Sequence, residues 1–229
     1  MDFMLNLRMA AFGALAAIGL ALPASATTVV DFSGPWEYTK ETDPYAFGTT
    51  SLTVSADTFR RLSLDPLVIE LHDRNSAHVT INQEGLGVDN DGRWYNCRRD
   101  CDGDVDGAGR NDILLFAFDE QIELTEINFD NVSSDDQFVF FAFDTLAELS
   151  GSIAALFLDI TDLHADEGIY TFSPAATGRY FGIGAIQTND DFRVEGLTGT
   201  VVAVVPLPPA LPLFLGALFG FGILARRRS

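Results

Sequence analysis

The sequence predicts an all-β protein, a single jelly-roll-like β-sandwich domain over residues 27–204. Three observations carry this. Short runs rich in Val, Ile, Phe and Thr recur between clusters of Gly, Asp, Asn and Ser, the pattern of strands joined by turns. No long stretch shows a clear helical period. The body of about 180 residues is large enough to bury one proper core.

Taken in order, the expected strands are Thr27–Phe32, Ser51–Ser55, Leu67–Leu71, Ala77–Asn82, Ile113–Phe118 and Ile122–Phe129. They continue with Phe138–Phe143, Gly168–Phe172, Arg179–Ile186, Phe192–Glu195 and Thr198–Val204. Many short strands at this spacing fit a sandwich. Leu146–Leu158 is ambiguous: its Leu, Ala and Glu content allows helix, while Ser150-Gly151 interrupts it.

Two strands carry finer information. Ile122 and Leu124 share one face at period two, but Ile127 and Phe129 fall on the opposite parity. Both pairs reach one core only if an extra residue is inserted near Thr125-Glu126, which is a β-bulge. Phe181, Ile183 and Ala185 alternate with Gly182 and Gly184, as in a half-buried strand. The bare glycine face admits close packing by another part of the chain, or a flat ligand.

Charge narrows the function. The chain has 33 acidic and 14 basic residues. Setting aside Asp2, Arg8, Arg226, Arg227 and Arg228, which lie in the two terminal segments, leaves 32 acidic against 10 basic, a formal charge of −22. Nucleic acids and anionic lipid surfaces want basic patches, so neither is an expected partner. The charge suits a soluble secreted protein or one that binds divalent cations. At 47% hydrophobic and 11% aromatic, the composition is that of a folded chain.

The most distinctive stretch of the body is Gly87–Asp112, a Gly- and Asp-rich loop between strands. Asp102, Asp104 and Asp106, followed by Gly107, match the first half of the D-x-D-x-D-G calcium loop. The second half departs from it: the twelfth position is Ile113, with Asp112 one place early. This leaves two readings, a looser Ca²⁺ site on Asp102, Asp104, Asp106 and Asp112, with Asp89 or Asp91 as further ligands, or a solvated acidic turn. Cys97 and Cys101 lie in the same loop, separated by three residues. In an oxidising compartment such a pair forms a local disulfide. His72, His78 and His164 show no zinc spacing with them.

Catalytic signatures are missing: there is no G-x-S-x-G, H-E-x-x-H, P-loop or G-x-G-x-x-G. The acidic pairs Asp135-Asp136 and Asp190-Asp191 read either as a glycosidase carboxylate set or as solvated turn residues. Trp94-Tyr95, beside the acidic loop, reads either as a sugar-stacking surface or as aromatics buried under it. The chain is expected to be no enzyme.

The ends of the chain say where the protein goes. Arg8, an apolar stretch from Met9 to Leu22, Pro23 and then Ala24-Ser25-Ala26 have the layout of a secretory signal peptide over residues 1–26. Residues 205–229 have three parts: Val205-Pro206-Leu207-Pro208, an apolar run from Ala210 to Ala225, and Arg226, Arg227 and Arg228. As a helix the run spans about 24 Å at ~1.5 Å per residue, just short of a bilayer core of roughly 30 Å. The arginines after it place the C-terminus in the cytoplasm and the body across the membrane.

This tail resembles the VPLPA variety of PEP-CTERM sorting signals, with Pro209 in place of the alanine and Ala210 one position later. The resemblance covers only the tail. It implies recognition by an exosortase-type transpeptidase in the membrane, cleavage at the motif and transfer of the body to a surface acceptor. The alternative reading is an ordinary membrane anchor. Together these features predict an inner-membrane intermediate, then a non-catalytic surface or matrix protein associated with exopolysaccharide. Two alternatives stand beside it, a calcium-assisted carbohydrate-binding β-sandwich and a secreted polysaccharide hydrolase.

Overall fold

The computed structural model describes residues 26–39, 41–72, 77–90, 103–107, 110–164 and 167–202. The strands are β1 (Thr28–Asp31), β2 (Glu37–Thr39), β3 (Tyr45–Phe47), β4 (Thr50–Leu64), β5 (Leu67–His72), β6 (His78–Asn82), β7 (Gly85–Asp89) and β8 (Val105–Asp106). They continue with β9 (Asn111–Asp130), β10 (Gln137–Phe143), β11 (Ser152–Ala154), β12 (Leu156–Asp159), β13 (Thr161–His164), β14 (Glu167–Gly184) and β15 (Asp191–Val201). The described chain is all-β, with one 3₁₀ turn at Leu146–Leu149. The ambiguous segment therefore resolves into that turn followed by β11 and β12. No helix among the described residues is long and apolar enough to cross a membrane.

The strands form one continuous sheet rather than two separate ones. Its backbone is β9, which has β14 on one side, paired over residues 113–117 and, past a break in register, over residues 122–129. On the other side β9 pairs first with β4, over residues 111–118, and then with β15, over residues 122–130. Between the two pairings lie Asp119, Glu120 and Gln121, polar and largely exposed. Those residues read as a break in the sequence, yet the strand runs through them and changes partner. The pieces expected at 168–172 and 179–186 likewise merge into β14, and those at 192–195 and 198–204 into β15.

Because long strands serve both halves, the sheet encloses one core, an arrangement consistent with a β-sandwich. Aromatic contacts tie the halves together. Phe140 of β10 meets Phe172 of the first half of β14 at 4.6 Å between ring centroids. Phe32, just past β1, meets Phe116 of β9 at 5.8 Å. Phe129 contacts both Phe138 and Phe192. Phe172 is half-buried; each of the others, fully buried, stabilises the fold by roughly 1.5–3 kcal/mol over an exposed side chain. A second cluster on the outer face of the β4–β9–β14–β10 half joins Phe59, Ile69, Ile113, Val139, Phe141 and Ile153. That half is thus apolar on both sides, so its strands read as continuous hydrophobic runs.

The bulge is present where the parity switch requires it. Thr198 pairs with Glu126 and Gly199 with Leu124, leaving Thr125 as the extra residue. Ile122, Leu124, Ile127 and Phe129 are all fully buried as a result. The glycine face of β14 is explained by packing: a Cβ on Gly182 would stand 2.1 Å from the Phe141 ring.

Candidate functional site

One end of the sheet gathers most of the residues that the sequence marks for chemistry. It is built from the β6–β7 hairpin, the 103–107 segment, the start of β9, the turn before β10 and the turn before β15. At its centre is a residue that the sequence reading did not single out, Arg193, whose side chain is 0% exposed. It lies between Phe192 and Val194, themselves fully buried. A guanidinium cannot be left there without partners.

The partners come from two loops. Arg193 Nη1 donates to the Gly85 carbonyl and Nη2 to the Gly103 carbonyl, each at 3.0 Å. Its Nε stands 2.8 Å from Asp104 Oδ1. Thr80 Oγ1 also donates to the Gly103 carbonyl, at 2.5 Å. Asn131 Nδ2 donates to Asp104 Oδ2 at 2.8 Å, and Asn131 holds a positive φ of 55°, which asparagine tolerates better than most residues. Asp104, expected as a calcium ligand, is therefore the counter-ion of Arg193.

Two glycines let the segment lie so close. Gly103 has φ +69°, and a Cβ there would press on Thr80 Oγ1 at 2.9 Å. A Cβ on Gly87 would stand 1.6 Å from the Gly103 carbonyl oxygen. Only hydrogen at residue 87 allows the 103–107 segment to pack over β7.

Asp112 is buried, and Asn90 Nδ2 donates to its Oδ1. Burial holds its carboxyl well above the usual carboxylate range, with the Asn90 bond acting against the shift and the charges of Asp106 and Asp89 adding to it. Asp106 is half-buried and is the Cα partner of Asp191 across the short β8–β15 ladder. Of the four expected calcium ligands, the fold thus brings Asp106 and Asp112 near each other and commits Asp104 elsewhere. Asp102 lies outside the described residues, as do Asp91, Trp94, Tyr95, Cys97, Cys101 and the terminal segments. Among the described residues, no three Asp, Glu, His or Cys side chains stand ready to hold a metal ion.

The two acidic pairs come together at the same end. Asp136 Oδ2 accepts the Ser133 N–H at 2.6 Å, closing the turn before β10. Asp190 accepts the N–H groups of Gln187 at 2.9 Å and Gln137 at 3.2 Å, joining the turn before β15 to β10. Asp135 accepts the Ser133 hydroxyl and the Asn189 amide. Burial pushes Asp136 up to about 6, opposed by the Ser133 bond and reinforced by the charges of Asp191 and Asp190. Burial raises Asp190 too, against the pull of its N–H donors. These aspartates cap turns. In both turns the aspartate follows its own donor by three residues, Asp136 after Ser133 and Asp190 after Gln187.

No family model matches the chain, and no curated protein matches it. Among solved structures, a Streptococcus pneumoniae fucose binding module overlaps 44% of this chain and 77% of its own, at 10% identity and a TM-score of 0.26. A mutant of the lectin binding domain of Lectinolysin complexed with Lewis b overlaps 44% of this chain and 80% of its own, at 13% identity and a TM-score of 0.26. Overlaps of that size bear neither on the fold nor on the function of this chain.

Proposed function

We propose that the protein is a non-catalytic exported surface protein, released from a membrane intermediate by cleavage in its proline motif. One observation carries the reading: Val205-Pro206-Leu207-Pro208, the apolar run and Arg226–Arg228 follow one another in that order. Each part has a physical task. Proline lacks an N–H and fixes φ, so Pro206 and Pro208 hold the motif extended and open to a protease cleft. The apolar run carries the motif to an enzyme in the bilayer, and the arginines hold the far end in the cytoplasm.

The fold supports this placement. β15 ends at Val201, and the Val202 N–H donates to the Gln121 carbonyl at 2.9 Å. Only Ala203 and Val204 separate Val202 from the proline motif, so an apolar run seated in a bilayer would keep the body close to it until the motif is cut. The non-catalytic reading rests on the roles of the paired aspartates, whose carboxylates accept the donors of their own turns.

The test is a double replacement, Pro206→Ala with Leu207→Ala, in cells that make the sorting enzyme. The expected result is a longer, membrane-bound form. Release at the normal size would refute the role of the motif. Binding of the released protein to the organism's own exopolysaccharide, measured by co-sedimentation, tests the association with matrix.

A further inference from the structure

We propose that Thr58, Asn90 and Asp112 make an internal ester cross-link, in which the Thr58 hydroxyl displaces ammonia from the Asn90 side-chain amide. Three observations bring the parts together. Thr58 of β4 and Asp112 of β9 are direct Cα partners in an antiparallel ladder, so their side chains leave the same face. Residues opposed in this way have Cβ atoms about 4.5–5.5 Å apart. Asn90, the residue after β7, reaches the same carboxyl: its Nδ2 donates to Asp112 Oδ1 and, at 3.5 Å, to the Arg110 carbonyl. One carboxyl thus adjoins both a hydroxyl and an amide. The third observation is independent of these contacts. Thr58 is 1% exposed, and its Oγ1 has no hydrogen-bond partner among the described residues. A buried hydroxyl left unpaired is costly, and valine, of the same shape, would avoid that cost.

The surroundings fit the chemistry. On its other side Thr58 is the Cα partner of half-buried His72, the last residue of β5, so a base stands across from the hydroxyl. Threonine is a weak nucleophile until such a base takes its proton. Burial raises the pKa of Asp112 and so favours the neutral acid, the form that can protonate a leaving amine. In the step, Thr58 Oγ1 bonds to Asn90 Cγ while its proton passes to His72. The Cγ–Nδ2 bond then breaks as Asp112 protonates the nitrogen, and ammonia leaves. The proton on His72 returns to the Asp112 carboxylate, so both groups end as they began and nothing else is consumed. Holding the reactants in one fold replaces a bimolecular encounter. The same burial keeps out the water that would hydrolyse the ester. β4 and β7 are separated in the sheet by β9 and β15, so the bond ties together parts that share no ladder. It forms once within the chain, which leaves the non-catalytic reading of the surface protein in place.

The test uses the full chain, purified in detergent, then denatured and digested with trypsin for peptide mass spectrometry. Cleavage after Lys40, Arg60, Arg74 and Arg93 leaves Thr58 on peptide 41–60 and Asn90 on peptide 75–93. The expected result is one branched species that joins the two and weighs one ammonia less than their sum. Hydroxylamine, which cleaves esters, should separate it. Thr58→Val should give only the two linear peptides. Asp112→Asn, with its fold checked by circular dichroism, keeps both reacting groups and should lose most of the branched species. Two linear peptides alone from the unsubstituted chain overturn the cross-link. So does a loss of ammonia that persists in Thr58→Val, which would mark cyclisation of Asn90 onto its own backbone. An undiminished branched species in Asp112→Asn overturns the role given to that carboxyl. Both peptides lie outside the terminal segments, so the result is independent of the sorting proposal.

Discussion

Arg193 and Asp104 form a buried ion pair, Nε to Oδ1 at 2.8 Å, with side chains 0% and 3% exposed. They are 89 positions apart in sequence, and their contact fastens the 103–107 segment to the middle of the sheet. Removing one partner leaves the other charged and buried. Arg193→Met should therefore destabilise the protein by about 3–5 kcal/mol in urea unfolding. Replacing both, as Arg193→Met with Asp104→Leu, should recover much of that loss. A single variant as stable as the parent would mean that the pair is not buried in solution.

The second prediction concerns Gly87. An alanine Cβ would meet the Gly103 carbonyl oxygen at 1.6 Å, and backbone on both sides leaves nothing flexible to give way. Gly87→Ala should cost about 2 kcal/mol or more. It should also speed amide exchange at Val88, whose N–H donates to the Asp104 carbonyl. Unchanged exchange at Val88 would show that the segment does not rest on β7.

The third prediction is a pH dependence, measured in EDTA. Asp136 has a folded pKa of about 6, above its unfolded value near 3.8. Its favourable contribution is complete below pH 4 and is lost as pH rises through about 6. Burial shifts Asp112 and Asp190 in the same direction, so each adds to the fall of stability as pH rises. Asp136→Asn keeps an acceptor for the Ser133 N–H and removes the charge. It should raise stability at pH 7 by on the order of 1–3 kcal/mol and flatten the profile between pH 4 and pH 6. A steeper profile in the variant would contradict this.

What could be read from sequence depended on whether neighbours in the chain were also neighbours in space. The Thr125 bulge was legible because Ile122, Leu124, Ile127 and Phe129 record their own facing. The continuity of β9 was not, because Asp119–Gln121 carry turn chemistry while remaining hydrogen-bonded strand. The two- to four-residue strands β2, β3, β8 and β11 to β13 are too short for a period to appear. The acidic loop shows the same divide. Asp104 reads as a metal ligand among its sequence neighbours, and its true partner arrives only with β15. The available signal was Arg193 itself, a charge set between Phe192 and Val194.

The account of what the protein does rests on the tail, and one measurement addresses it directly. Mass spectrometry of the native protein, taken from the cell surface or matrix, reads its C-terminal peptide. A peptide that ends within or beside Val205-Pro206-Leu207-Pro208 and carries an added group is the predicted result. A C-terminal peptide still ending in Arg228-Ser229 would contradict it and make the segment a plain membrane anchor.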